Sequence, residues 1–189
     1  ERDVRAMREH AHVADALVTD RSDVALATMV ADCVPVLLAD EQRGVIAAAH
    51  AGRRGLLGGV LGASVEAMMG LGACPANIRA LIGPSVCGRC YEVPEQMFRE
   101  SVEIQPAVAS RTSWNTPALD LPAGAVAALR DAGLAPEGIE VLERCTLESE
   151  ELFSYRRDPR TGRFAGVITR SPRACLLYTS PSPRDKRQS

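Results

Sequence analysis

The stretch from Ala31 to Gly55, ADCVPVLLADEQRGVIAAAHAGRRG, decides the fold. Two short apolar runs lie on either side of a polar turn, Glu41-Gln42-Arg43-Gly44, and this pattern predicts a β-hairpin. Cys33 begins the first run and His50 ends the second. Because the start of one antiparallel strand lies beside the end of its partner, we expect the hairpin to bring this thiol and this imidazole together.

The composition limits the classes of function. A length of 189 residues suits a single domain, and 46% hydrophobic residues are enough for a core. The net charge of -2 favours neither nucleic acid nor an anionic membrane as a partner, and no apolar run reaches the length of a membrane span. The first residues do not resemble a signal peptide. The six cysteines are irregularly spaced in a chain that does not need disulfides, so we expect a cytoplasmic protein with reduced thiols.

The remaining segments predict strands and helices without strict alternation. This order favours an α+β fold, a single-domain αββα layered sandwich with a mixed sheet, over a doubly wound parallel sheet. Residues 103–118 have no regular pattern. The predicted strands are Asp15–Thr19, Val24–Val30 (buried), Ile78–Ile82, Ile139–Leu142, Leu152–Arg156 and Phe164–Ile168. The predicted helices are Leu56–Met69, Pro94 to about Val102, and one that starts at Leu119-Asp120-Leu121-Pro122 and reaches a cap near Gly133.

The C-terminal segment differs in composition from the rest of the chain. Residues 171–189 are rich in Ser and Pro and contain Lys186, whereas every other basic residue of the chain is arginine. We interpret 171–189 as a disordered, non-native tail, and 1–170 as the domain. Cys175 is therefore left out of the chemistry.

Cys33 and His50 allow three interpretations. They could be a nucleophile and its general base, two ligands of a zinc site, or a buried thiol beside a hydrogen-bonded core histidine. A catalytic zinc has three protein ligands and an open position, so the second interpretation requires another ligand.

Two further patterns contain groups that could bind a metal ion or an anion. Cys87-Gly88-Arg89-Cys90 is a single C-x-x-C, whereas structural zinc sites typically use two such pairs, so we interpret it as a turn that happens to hold two thiols. Arg53-Arg54 and Arg156-Arg157 each stand at the end of a predicted strand, where guanidinium groups could bind phosphate or carboxylate, although exposed charged pairs are common.

Several motifs, in order along residues 14 to 168, resemble the YfiH/laccase-domain family of zinc-dependent purine nucleoside phosphorylases. The chain is similar to this family in Asp15-Ala16-Leu17-Val18-Thr19, Ala31-Asp32-Cys33-Val34-Pro35-Val36, His50-Ala51-Gly52-Arg53-Arg54-Gly55, Ile82-Gly83-Pro84-Ser85, Cys90-Tyr91-Glu92-Val93, Cys145-Thr146, and Phe153-Ser154-Tyr155-Arg156-Arg157-Asp158 with Thr161-Gly162-Arg163.

The resemblance implies an αββα sandwich and a zinc ion held by His, Cys and His, of which Cys33 and His50 match the last two. It also implies phosphorolysis of adenosine, inosine and guanosine, with deamination of adenosine as a side activity. Asp32, beside the metal, is a candidate acid–base group or a hydrogen-bond partner of a ligand, and Arg54 is a candidate anion contact. A purine nucleoside and phosphate are the expected partners.

The chain departs from the family pattern in two places. The first histidine ligand normally lies in a His-Gly context before Asp15, and the chain has no His-Gly, so we expect an N-terminally truncated domain. His10 and His12 do not match that context. Arg53 stands where the family usually has tryptophan, which puts the packing beside the metal in doubt.

Other functions stay open or are excluded. A metal-free cysteine hydrolase would use Cys33 as nucleophile and His50 as base. An inactive fragment of the family is a further alternative. A multicopper oxidase needs many histidines, and the chain has three, so we reject that activity.

Overall fold

The computed structural model describes residues 14–170. Within this range the strands are β1 (Ala16–Thr19), β2 (Ala25–Val30), β3 (Val34–Asp40), β4 (Val45–Ala51), β5 (Arg79–Ile82), β6 (Ala109–Arg111), β7 (Pro117–Leu119), β8 (Ile139–Val141) and β9 (Phe164–Thr169). The α-helices of the same range are α1 (Arg53–Leu57), α2 (Val60–Gly70), α3 (Glu95–Ile104) and α4 (Leu121–Asp131). The tail predicted at 171–189 lies outside the described residues.

The main sheet is mixed and has five strands in the order β1-β4-β3-β5-β8. Its centre is the predicted hairpin, in which β3 and β4 pair antiparallel with Pro35 opposite His50. Only β5 and β8 pair in parallel within this sheet. β4 contains buried alanines with almost no exposed surface, and these small side chains let other elements pack closely on both faces.

The helix predicted over Leu56–Met69 is two helices. α1 ends at Leu57 and α2 begins at Val60, and Gly59 between them has a φ of 84°. Glycine adopts this left-handed conformation without the steric cost that a Cβ would add, and it interrupts the helical hydrogen-bond ladder. Leu56, Leu61, Val65 and Met68 are nevertheless buried in one core with β3 and β4, as the periodicity predicts.

A second, two-stranded sheet covers the other face of the hairpin. β2 and β9 pair antiparallel, with Val30 opposite Phe164. Leu26 of β2 packs with Ile46 and Ala48 of β4 in a small second core. The described residues thus form a helical layer, the main sheet and a smaller sheet, and the α+β class and single domain are confirmed. β2 alternates between exposed and buried residues, so the predicted buried strand is buried on one face only.

Two other local predictions are wrong. Residues 152–156, predicted as a strand, form turns and irregular backbone, and β9 pairs with β2 instead. Residues 103–118, predicted as irregular, contain the β6–β7 hairpin. At 152–156 the expected strand has no partner because β9 takes the position beside β2, whereas β6 and β7 are a local hairpin whose strands of three residues carry too little pattern to predict.

Candidate functional site

Cys33 and His50 lie side by side at the open end of the β3–β4 hairpin. Gly52 provides the space between them: a Cβ on this residue would stand 3.1 Å from Cys33 Sγ and 3.6 Å from His50 Nε2. The other ring nitrogen, His50 Nδ1, lies 3.3 Å from Asp15 Oδ1, and the His50 backbone N–H donates to the Asp15 carbonyl at 2.7 Å. Asp15 thus orients the ring with Nε2 towards the thiol.

These neighbours shift the protonation of His50. The contact with Cys33, and less strongly the carboxylate of Asp15, raises the pKa of His50 from 6.5 to about 8, while partial burial acts in the opposite direction. The sequence motifs did not assign Asp15 a role at the site. The pairing of Ala16 with Ala49 places Asp15 beside His50, and no short sequence pattern encodes this register.

Asp32 connects three loops under the site. It is 7% exposed, and its backbone has a φ of 85°, a conformation that Asp tolerates better than most residues. One carboxylate oxygen accepts from the Thr146 hydroxyl at 2.6 Å and the other from the Arg156 backbone N–H at 2.8 Å. Because both oxygens are engaged, the geometry favours a positioning role, and its acid–base role stays a prediction.

A cavity of about 410 Å³ opens beside these residues. It is lined by Met29, Val30, Ala31, Asp32, Cys33, His50, Arg53, Val86, Tyr91, Leu121, Tyr155, Arg156 and Arg163. The lining thus combines apolar and aromatic surface with three guanidinium groups and the Cys–His pair. This composition suits a small ligand that has a flat apolar part and an anionic part.

Each adjacent arginine pair contributes one residue to the cavity. Arg53 lines it and Arg54 is exposed outside its lining, so the anion contact assigned to Arg54 stays a prediction. Arg156 lies over the Tyr91 ring, 4.2 Å from its centroid, and donates to the Glu92 carbonyl.

Arg157 points elsewhere. Its guanidinium donates to the backbone carbonyls of Thr146, Leu147, Ser149 and Leu152. These bonds fix the loop after β8, so Arg157 supports the site through the loop that carries Thr146.

The donor atoms at Cys33 and His50 fit two positions of a zinc site. A thiolate sulfur and an imidazole nitrogen are ordinary zinc ligands, and the Asp15 contact is of the kind that orients a ligating histidine. Within residues 14–170, no third His, Cys, Asp or Glu joins them in a potential metal-binding group. His10 and His12 lie outside the described residues.

A second group of potential ligands lies around the C-x-x-C segment. The thiols of Cys87, Cys90 and Cys145 and the carboxylate of Glu148 have ligand atoms within 4.8 Å of one another, so this cluster is able to bind a metal. Burial, together with the neighbouring Cys87 and Cys145, raises the pKa of Cys90, and its thiol lies 3.5 Å from a Glu148 oxygen. The turn predicted for Cys87–Cys90 is present, but its interpretation as two incidental thiols missed Cys145 and Glu148.

Comparison with known proteins identifies the family. The model of the family described as multi-copper polyphenol oxidoreductase laccase matches residues 1–171. The chain belongs to this family. The laccase-domain fold is also that of YlmD from Geobacillus stearothermophilus, whose crystal structure has a TM-score of 0.76 and 36% identity, over 84% of this chain and 61% of that one.

Two curated relatives of this laccase-domain chain are described as enzymes. A protein of Streptomyces griseus named purine nucleoside phosphorylase ORF3 is 54% identical over 154 residues, which cover 82% of this chain and 62% of the relative. Adenosine deaminase RL5, from an unknown prokaryotic organism, is 35% identical over 148 residues, 76% of this chain and 56% of the relative. The chain therefore spans roughly 60% of the length of the curated relatives it matches.

Proposed function

We propose that this chain carries a large part of the active site of a zinc-dependent purine nucleoside phosphorylase with adenosine deaminase side activity. The main supporting observation is the cavity in which the Cys33–His50 pair, aromatic side chains and three arginines face the same space. The names of the relatives from Streptomyces griseus and of RL5 support the reaction class. Because the match covers only part of each relative, the activity named for the full-length relatives is proposed, and not established, for this chain.

Phosphorolysis requires the site to hold an anion against a nucleoside. A phosphate oxygen forms a bond to the anomeric carbon of ribose, and the bond from that carbon to the purine breaks with its electron pair leaving on the base. We assign phosphate binding to Arg53, Arg156 and Arg163, since guanidinium groups bind phosphate through paired N–H donors. Holding both reactants in one cavity lowers the entropic part of the barrier.

The aromatic residues are assigned to the purine. Tyr155 is 52% exposed at the cavity, so that its ring is available for stacking on a flat base. Tyr91 also lines the cavity, and one face of its ring is covered by the Arg156 guanidinium. Stacking contacts of this kind contribute about 0.5–1.5 kcal/mol beyond the burial of area.

Cys33 and His50 are assigned to zinc, with a third ligand from outside the described residues. When bound, zinc with an open position supplies Lewis-acid chemistry and can activate water near neutral pH. For this assignment His50 must lose its proton from Nε2 and keep Nδ1–H donated to Asp15, which the Asp15 contact favours. Deamination would replace the exocyclic amine of adenosine by an oxygen from water and release ammonia. A cytoplasmic location belongs to this proposal.

The helices within residues 14–170 include none that could span a bilayer.

The activity is tested by the phosphate-dependent release of hypoxanthine from inosine. We expect release by the zinc-loaded chain to require phosphate, and Cys33→Ser to lower it at least about 100-fold because a metal ligand is lost. Arg156→Ala is expected to raise the KM for phosphate about tenfold or more, since a charge-assisted hydrogen bond contributes about 1.5–3 kcal/mol. Arg160→Ala is the matched control, because Arg160 is exposed in the same segment and outside the cavity lining.

The Streptomyces griseus relative provides the reference in the same assay. If the relative releases hypoxanthine and this chain with zinc does not, the chain is an inactive fragment of the family.

A metal-free cysteine hydrolase is the second candidate, because the contact of Cys33 with His50 raises the pKa of the imidazole as in a nucleophile–base pair. Zinc analysis separates the two candidates. Stoichiometric zinc that is lost in Cys33→Ser would exclude the hydrolase, whereas hydrolysis that persists after chelation would exclude the zinc enzyme.

A further inference from the structure

The Cys87, Cys90, Cys145 and Glu148 cluster is separate from the cavity that contains Cys33 and His50. It borders a different cavity of about 440 Å³, which is lined on its other sides by α4 and the segment around Leu142. Cys145 is 9% exposed and its sulfur accepts from the Cys87 backbone N–H at 3.4 Å. The cluster is therefore partly buried, with Glu148 on its exposed side, where an ion could enter.

The distances suit one tetrahedral ion. Ligand atoms about 2.3 Å from a zinc ion stand about 3.8 Å from one another in a tetrahedron. The four ligand atoms of the cluster lie within 4.8 Å of one another, so each distance between them has to shorten by about 1 Å or less. Three sulfur donors exclude magnesium and calcium, which take oxygen ligands. Arg89 and Arg144 line the same cavity, and the Arg144 guanidinium is paired with Glu151 at 2.7 Å.

The backbone holds the two loops that carry these ligands together. The N–H groups of Cys90 and Tyr91 both donate to the Cys87 carbonyl at 3.0 Å, which forms the turn between the first two thiols. Ser85 pairs in parallel with Cys145, and the Thr146 N–H donates to the Ser85 carbonyl at 3.0 Å. Gly88 is required in this turn, because a Cβ there would lie 2.7 Å from Cβ of Asp120.

The cysteines of the cluster are sequence neighbours of residues that line or support the cavity of Cys33 and His50. Val86 and Tyr91 line that cavity while their neighbours Cys87 and Cys90 belong to the cluster. In the second loop, Thr146 donates to the buried Asp32 while its neighbour Cys145 belongs to the cluster. Cross-linking the cluster would therefore fix the positions of the cavity residues on both loops.

We propose that Cys87, Cys90, Cys145 and Glu148 bind one zinc ion in a closed structural site that cross-links the loops after β5 and β8. Binding replaces the protons of the three thiols by the ion, and all four positions are filled by protein, so this ion takes no part in the reaction. The proposal is independent of the phosphorylase assignment, since it uses none of the ligands of the first site.

Zinc content tests the proposal in the full chain. The variant Cys33→Ser/His50→Ala removes both assigned ligands of the first site. We expect it to retain one zinc per chain after purification under reducing conditions, as measured by elemental analysis. Adding Cys87→Ser or Cys145→Ser should remove that ion, whereas Cys74→Ser, which changes an exposed thiol outside the cluster, should leave it in place.

Cobalt provides a measurement that leaves the three cluster cysteines unchanged. Cobalt added to the metal-free Cys33→Ser/His50→Ala chain should give an intense sulfur-to-cobalt charge-transfer absorption. Glu148→Gln, at an exposed position, should weaken binding at least about tenfold but keep that absorption, because the three thiolates remain. A chain without zinc and without this absorption overturns the proposal, as does an intact mass lower by two hydrogens that shows a disulfide within the cluster.

Discussion

At the scale of single residues, Gly52 controls the distance between the two assigned zinc ligands. Its φ of -69° and ψ of 167° are open to any residue, so the restriction is one of space and not of backbone conformation. Gly52→Ala should leave the fold intact and weaken zinc binding about tenfold, because its methyl group would crowd Cys33 Sγ at 3.1 Å.

Titration with zinc in a competing chelator measures the effect of this substitution, using the cluster variant Cys87→Ser so that one site is observed. Gly62→Ala is the control, since a Cβ at Gly62 meets nothing within 4 Å. Unchanged affinity in Gly52→Ala would show that this glycine does not shape the site.

His50 should show its raised pKa in the metal-free chain. NMR titration of the imidazole in the presence of a chelator should give a pKa of about 8. Cys33→Ser should lower the His50 pKa more than Asp15→Asn, because the Cys33 contact raises this pKa more than Asp15 does. The His50→Gln variant identifies the His50 imidazole signal by its disappearance.

The sign of the effect on stability follows from this shift. Because folding raises the pKa, protonated His50 stabilises the metal-free fold below pH 6.5, and this contribution is lost as the pH rises through about 8. Zinc affinity should rise over the same interval, because the proton competes with the metal. A His50 pKa near 6.5 in the wild-type chain would contradict the contact with Cys33.

At the scale of elements, the turn of the β3–β4 hairpin depends on Asp40. This carboxylate is fully buried and accepts from the backbone N–H groups of Gln42 and Arg43 at 3.0 Å and of Cys74 at 2.9 Å. It therefore connects the hairpin turn to the segment between α2 and β5, at the end of the hairpin remote from Cys33.

Asp40→Asn should destabilise the fold by about 2 kcal/mol, because an amide NH2 replaces one acceptor in front of a buried donor. Thermal unfolding followed by circular dichroism should show a Tm lower by roughly 4–8 °C. Glu41→Gln, at an exposed position in the same turn, should leave the Tm unchanged. A similar Tm for both variants would mean that the Asp40 contacts contribute little.

At the scale of the whole molecule, the sequence predicted what depends on local pattern. The β3–β4 hairpin and the proximity of Cys33 and His50 follow from the alternation of apolar runs and a turn, and the α+β class follows from the order of segments. The break at Gly59 was underestimated, because a glycine in a helical pattern can equally be tolerated or end the helix.

Contacts that depend on strand order could not be predicted in this way. Cys145 reaches Cys87 because β8 lies in parallel beside β5, and no short sequence pattern encodes that pairing. The same holds for Asp32 and Thr146, which lie far apart in the chain. The local pattern predicts a strand at Tyr155 and Arg156, whereas their side chains line the cavity from turns and irregular backbone.

The pairing of β2 with β9 has a consequence for how the site forms. Residue 30 pairs with residue 164, so closing this sheet requires a loop that includes most of the described chain, whereas the β3–β4 hairpin closes over four residues. Contacts between distant residues carry a larger entropic cost of loop closure and tend to form late in folding. Met29, Val30 and Arg163 lie in or next to these two strands and line the cavity. We therefore expect the Cys33–His50 pair to assemble early and the cavity around it to close only when the chain is almost completely folded.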